Sequence, residues 1–323
     1  MSAEYLISFL YATVLAGTPL LFGTLGEILT EKSGNLNLGV EGMMCMGAVM
    51  GFMAGYKTDS AMLALICAFA AGMAGALIYA FLTVTLKADQ NVTGLTLTIF
   101  GTGFANFVGE GMVNSSPTGS ANLSEALKAK FSEIHIPALS DLPYVGELLF
   151  SYNIFVYMGV ALAIAMGIYL YHTRRGLNLR AVGENPAAAD AGGVNVTLYK
   201  YLHILIGGGI CGLGGAYVSI VTCGGVWTYN CVNGLGWIAV ALVIFVSWSP
   251  YRAILGGLVF GMLSILRLYI AGLTGLEIRI PTPIFSMLPF IATAVVLVIS
   301  SIRMSRERCQ PKGCGVNYFR EER

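Results

Sequence analysis

The sequence predicts an all-α fold, a polytopic transmembrane helical bundle of about nine spans (8–10). Three observations lead there. Of 323 residues, 56% are hydrophobic and only 11% charged, whereas soluble domains carry about 25% charged residues. The mean hydropathy is +0.74, so water is not the chain's main solvent. Apolar stretches of about 20 residues, the length that crosses a bilayer, recur between short polar breaks. A net charge of +1 leaves no electrostatic footprint for a nucleic-acid partner.

The first span runs from about Tyr5 to Leu25. It is retained, because MSAEY lacks the basic region of a signal peptide. The stretch SGNLNLGVEG at 33–42 follows, with three glycines and two asparagines that interrupt a helix. It opens directly into apolar sequence that carries Glu41, and a carboxylate at that depth must face protein or water. A broken or re-entrant segment near residues 33–42 is therefore expected, since non-helical backbone at membrane depth must line a cavity or be buried in protein. The second span then ends near Tyr56, the third covers about Ala61 to Leu86, and the fourth about Val92 to Val113. Residues 114–148 form the longest polar segment, with a short surface helix near Leu123–Phe131.

A fifth span covers about Phe150 to Tyr171, and a polar loop occupies 172–200. Within that loop Asn185 is a good N-cap and Pro186 a good first helical residue, three alanines favour helix, and Gly192 and Gly193 stop it. So short a helix is marginal alone in water and must form against something, either its own membrane domain or a partner. The sixth span, about Tyr201 to Val221, is dense in glycine and suits close helix approach. The seventh ends at Trp248, the eighth covers about Arg252 to Leu273, and the ninth about Phe285 to Ile302. The membrane domain is thus 1–303, followed by a basic tail at 304–323.

Thirteen of the eighteen lysines and arginines fall on the side of the 172–200 loop and five on the other. The positive-inside rule puts that loop and the C-terminus in the cytoplasm and the 114–148 loop outside. An internal echo, NLGVEG at 37–42 against NGLGWI at 233–238, fits the duplicated halves of many transporters.

No Walker A loop, zinc-protease motif or nucleophile elbow occurs, so the chain is not expected to be an enzyme or to bind ATP or a metal. Cys309 and Cys314 lack a second ligand pair, and Cys223 with Cys231 could pair as a disulfide if their loop lies outside the cell. Candidate pathway residues are Glu41, Asn37, Phe104, Asn106, Trp227, Asn233 and Trp237: a carboxylate, amides and aromatic faces suited to a flat, neutral, hydroxyl-rich solute. The plainer readings stand beside these. Glu41 would cap the half-helix it opens or bond to backbone, the asparagines would satisfy frayed backbone, Phe104 would be core, and the tryptophans would form an interfacial belt.

SGNLNLGVEG at 33–42, then GENPAAA at 183–189 with GVNV at 193–196, resembles the permease subunits of ABC importers of the branched-chain amino acid/ribose type. It is most similar to the permeases of nucleoside importers served by BMP-type lipoproteins. Asn35, Gly192 and Trp237 stand where that pattern usually has other residues. The resemblance implies a prokaryotic cell membrane, alternating access, and no cofactor on this chain, with ATP on a partner subunit. It implies three partners: a cytoplasmic ABC ATPase, a second permease subunit, and an extracytoplasmic substrate-binding lipoprotein. It also makes Glu184, Asn185, Pro186, Ala187, Ala188 and Asp190 the coupling contact to the ATPase. The rivals are the same machine for a sugar or branched-chain amino acid, and a lone ion-coupled transporter. The latter needs ionisable groups at mid-membrane, where Glu41 is nearly alone.

Overall fold

The computed structural model describes residues 3–134, 145–274, 282–303 and 309–319. Part of the expected 114–148 loop (135–144), part of the tail (304–308 and 320–323), and with them Arg279, Arg306, Arg308, Arg320 and Arg323, lie outside the described residues.

Helices account for most of the described backbone, in the order α1 Ala3–Lys32, α2 Val40–Thr58, α3 Ala61–Ala80, α4 Gln90–Asn114, α5 Glu125–Lys130, α6 Val145–Phe150, α7 Ile154–His172, α8 Arg174–Glu184, α9 Pro186–Ala191, α10 Val196–Tyr217, α11 Leu235–Phe245, α12 Pro250–Thr274 and α13 Thr282–Arg303. A π-helical turn extends α3 through Thr85 and another extends α10 through Thr222. Five of these helices are long and apolar enough to cross a membrane by themselves: α1, α3, α4, α7 and α10. Shorter apolar stretches lie in α11, α12 and α13, and α11 is only 11 residues long. At 1.5 Å per residue that is about 16 Å, half of a ~30 Å hydrocarbon core.

The connections sort the chain into two ends. At one end the C-terminus of α1, the 33–39 segment, the start of α4, helices α8 and α9, the start of α10 and residues 309–319 meet. Lys200 Nζ lies 3.5 Å from the Gly34 carbonyl, the Leu36 amide donates to Gln90 at 2.7 Å, and the Gly313 amide donates to the Gly183 carbonyl at 2.8 Å. Lys32, Lys87, Lys200 and Lys312 gather here with the arginines of α8, and this is called the basic end. At the other end Lys130 of α5 donates to the Asp59 carbonyl, and Asn122 bridges Val226.

Glycine makes the centre possible. Helix α10 lies against α1, α2 and α3 at once. A Cβ at Gly207 would sit 2.5 Å from the Gly26 carbonyl oxygen, one at Gly212 2.4 Å from that of Ala68, and one at Gly215 1.8 Å from that of Met44. Such contacts suit an apolar solvent, where tight van der Waals packing rather than hydrophobic exclusion joins helices. The neighbour pattern also repeats. As α3 packs on α10 and α4 on α2, so α12 packs on α1 and α13 on α11. Since α1 runs toward the basic end and α10 away from it, the two sets are inverted. The sequence echo falls at matching places, just before α2 and just before α11.

Two features differ from the sequence reading. The 172–200 segment is not a loop with one short helix, because α8 precedes α9. Thr173 caps α8 by accepting from the Gly176 amide, and Leu179, Val182 and Gly183 form its buried face. Residues 309–319 of the tail, for which the sequence reading gives no structure, are packed: Asn317 donates to the Lys87 carbonyl at 2.6 Å, and the Tyr318 hydroxyl to Asp190 at 2.8 Å.

Gly47→Ala would put a Cβ 2.3 Å from the backbone of Gly212, whereas one at Gly103 meets nothing within 4 Å. Overpacking typically costs 1–3 kcal/mol, so Gly47→Ala should lower the thermal unfolding midpoint of the detergent-solubilised protein. Gly103→Ala should leave it unchanged or raise it slightly.

Candidate functional site

The middle of the bundle is built from two helix beginnings. Helix α2 starts at Val40, whose side chain lies within van der Waals reach of a Cβ placed at Gly23. Gly23 is nine residues short of the end of α1, which at 1.5 Å per residue puts the start of α2 about 14 Å in from the basic end. The 33–39 segment therefore climbs into the protein's interior, as a broken segment is expected to do. Its polar backbone is held by side chains. Asn37 Oδ1 accepts from the Gly39 amide at 2.8 Å, the Asn37 amide donates to Glu27 Oε1 at 3.0 Å, and the Tyr79 hydroxyl donates to the Leu36 carbonyl at 2.5 Å. Asn35 donates to Thr83 at 3.5 Å. Both asparagines are buried; Asn37 satisfies backbone, as the plainer reading has it, whereas Asn35 reaches only the Thr83 side chain and its Oδ1 has no hydrogen-bond partner.

Helix α11 begins at the same depth after two left-handed residues, Asn233 (φ 44°) and Gly234 (φ 87°), with no cap from its own neighbouring side chains. The first amides of any helix lack intrahelical partners. Glu41 supplies them: its Oε1 accepts from the Gly234 amide at 2.7 Å and its Oε2 from the Gly236 amide at 2.6 Å. The Trp237 amide faces the same carboxylate. Glu41 thus caps a half-helix, but that helix is α11, nearly two hundred residues away, not α2, which it opens. Hydrogen bonds to a charged group contribute about 1.5–3 kcal/mol, and the helix dipole adds to them. Gly236 is the only residue type that fits, since a Cβ there would lie 2.5 Å from the Glu41 Cα.

The other pathway candidates separate into groups. Asn233 and Trp237 lie beside Glu41 at the start of α11. Asn106 of α4 reaches toward the opposite end and donates to Asn230 at 2.9 Å, tying α4 to the segment before α11. Trp227 lies in that segment with its ring against Phe52 (centroids 5.5 Å apart) and against Gly109. Its faces are filled by protein in this conformation, and its Nε1 has no hydrogen-bond partner. Phe104 stacks on Phe100, one turn earlier on α4. Cys223 and Cys231 are free thiols. A hydrogen bond from Cys231 pulls the Cys223 thiol below its usual range. Cys314 is a free thiol as well, and among the described residues no cluster of three or more metal-binding side chains occurs.

The second group of candidates sits at the basic end. Asn185 Oδ1 accepts from the Ala188 amide at 3.0 Å and Pro186 opens α9, as its sequence predicts. Ala189 packs inward with Val182 and Val196. Glu184, Asn185, Ala188 and Ala191 are exposed, Pro186 and Ala187 half-buried, and Asp190 accepts from Tyr318. Helix α9 therefore does both things left open: one face rests on the protein and the other is presented. Burial lowers the Lys87 ammonium pKa and raises the Cys314 thiol pKa, which marks how tightly 309–319 closes this end. Gly183 joins α9 to the interior, because a Cβ there would lie 2.4 Å from the Lys32 carbonyl oxygen and 3.3 Å from the Gly34 amide.

Sequence reasoning missed Gly234 and Gly236 as the partners of Glu41, and the clamps Gln90, Tyr79 and Gly183 on the 33–39 segment. The echo at 233–238 was the available signal for the first two. At the junction of α2 and α11 the one carboxylate is engaged by amide donors, with the buried thiol of Cys45 one turn further along α2. The arrangement holds helices in place and offers no bond-making chemistry.

Glu41→Ala should strand the amides of Gly234 and Gly236 at a cost of about 1–3 kcal/mol each, lowering the thermal midpoint in detergent. Glu41→Gln, which keeps one acceptor oxygen, should lie between Glu41→Ala and the unaltered chain.

Residues 9–298 match the family model described as branched-chain amino acid transport system / permease component. Curated relatives extend over nearly the whole chain. A Haloferax volcanii permease protein, provisionally named for glucose ABC transport, is 37% identical over 97% of each chain. The guanosine ABC transporter permease protein of Bacillus subtilis is 32% identical over 97% of this chain and 96% of its own. The nucleoside ABC transporter permease protein of Lactococcus lactis is 30% identical over 96% of each.

Proposed function

This chain belongs to the branched-chain amino acid transport system permease family, and from that membership we propose that it carries nucleosides inward as one permease of an ABC importer. It is a multi-pass membrane permease subunit, not an enzyme, and ATP belongs to a partner ATPase. Two relatives named for guanosine and nucleoside transport, matching nearly end to end, carry the choice of solute. The chemistry of the interior agrees with it. Glu41, the carboxylate at the junction of α2 and α11, is engaged by backbone amides and so is not free to act as a countercharge there, which suits a neutral solute. A sugar is the second reading, favoured by the relative named for glucose.

The basic end faces the cytoplasm in this reading, by the positive-inside rule, and α9 is the coupling helix. Its presented face (Glu184, Asn185, Ala188) receives the ATPase. From α9 a chain of contacts leads inward. Gly183 abuts Lys32 and Gly34, the 33–39 segment leads to Glu41, and Glu41 grips the start of α11. A push on α9 reaches the two half-helices through rigid backbone, and their separation opens the path. Affinity for the solute resides mainly in the binding lipoprotein that delivers it.

Two experiments test this. Cells lacking the chain should lose uptake of radiolabelled guanosine or uridine and keep ribose and glucose uptake. Loss of sugar uptake with nucleoside uptake intact selects the second reading. Ala188→Arg keeps a good helix former on an exposed position but puts a long cation into the docking face. It should insert and express normally, lose most transport, and co-purify poorly with the ATPase. Normal transport with the ATPase bound would make 172–200 a mere connector.

A further inference from the structure

Helices α7 and α10 both stand on α1, and a groove of about 370 Å³ lies between them, within the usual size range of small-molecule sites. Its floor is Leu25 and Leu29 of α1; its walls are Leu162 and Met166 of α7 and Ile206 and Ile210 of α10, each pair one turn apart. The lining is almost wholly apolar except at one end. There the Tyr169 hydroxyl meets His203 Nε2 at 2.7 Å, His203 Nδ1 meets the Tyr199 carbonyl at 2.6 Å, and Arg175 closes the groove. Neither the bundle's own packing nor the coupling contact uses this place.

The groove's position identifies its occupant. Ile164, Ile168 and Leu202 beside it are exposed, so it opens toward the hydrocarbon and not toward the protein's centre. It runs from residue 202 to residue 210 of α10, about 12 Å at 1.5 Å per residue, in the half of the helix next to the basic end. Arg175 lies just past the end of α7, is exposed, and makes no hydrogen bond or ion pair with a described residue. An arginine without a carboxylate at the mouth of an apolar slot, at headgroup depth, complements a phosphodiester above an acyl chain. Anionic lipid concentrates in the cytoplasmic leaflet, the leaflet to which the basic end corresponds.

We propose that this groove is a binding site for one anionic phospholipid, with an acyl chain along Leu29, Met166 and Ile206 and the phosphate on Arg175. The Tyr169–His203 pair forms the polar rim on which the glycerol region rests. Bound there, the lipid fills the gap between α7 and α10 and braces α8, which begins at Arg174, against the bundle.

The test is native mass spectrometry of the full chain in detergent, titrated with palmitoyl-oleoyl phosphatidylglycerol or with phosphatidylethanolamine of the same chains. The unaltered chain should retain phosphatidylglycerol preferentially. Arg175→Ala should lower that retention about fivefold, the worth of one arginine at an anionic surface, and Arg175→Lys should restore part of it. Ala165→Trp, which fills the groove from an exposed position on α7, should lower retention of both lipids at an unchanged melting temperature. Equal retention of the two lipids, or no effect of Arg175→Ala, would overturn the proposal. So would efficient cross-linking of a cysteine at position 165 to a second copy in membranes, which would make the groove a subunit contact.

Discussion

One carboxylate holds the interior of this permease together. Glu41 stands at the first turn of α2 and accepts the amides of Gly234 and Gly236, which begin α11. Both helices start inside the bilayer, where water cannot satisfy helix ends and each open amide costs several kcal/mol. Neither beginning carries a side-chain cap from its own flank, so the short α11 depends on a residue from the other half of the chain. The glycine at 236 follows from this, because the two backbones approach too closely for a Cβ.

The surrounding structure keeps Glu41 at that depth. The 33–39 segment must descend into the membrane without a helix, and side chains catch much of its backbone: Leu36 by Gln90 and Tyr79, Asn37 by Glu27, Gly39 by Asn37 itself. Glu31 is held in turn by the indole of Trp248, at the far end of α11. Helix α11 is therefore fixed to the α1–α2 unit at both ends, through Glu41 and through Glu31. The same segment touches Gly183, so the presented helix α9 and the buried junction belong to one mechanical unit.

The spans were legible because apolar length is a strong, local signal, and α9 because Asn185, Pro186 and the following alanines declare a capped helix. Helix α8 was hidden. Five of its eleven residues are charged or amide side chains, and its buried face is only Gly176, Leu179, Val182 and Gly183. The docking of 309–319 was hidden for another reason: its partners, Gln90, Lys87 and Asp190, are more than a hundred residues away, and nothing local announces them. Glu41 shows the limit best. Its burial and its two plain roles could be read from its neighbours, but which helix it caps is a long-range fact that only the echo at 233–238 hinted at. Asn37 and Trp227 carry side-chain chemistry suited to a solute. The fold uses the first for an Asx turn and packs the second against Phe52.

Amide hydrogen exchange, read by mass spectrometry on peptides covering 233–238, tests the central claim most directly. In the unaltered protein this segment should exchange slowly although it begins a short helix. In Glu41→Gln it should exchange much faster, while peptides from the middle of α10 stay unchanged. Equal protection of 233–238 in both proteins would contradict the account, because α11 would then be held by something other than the Glu41 carboxylate.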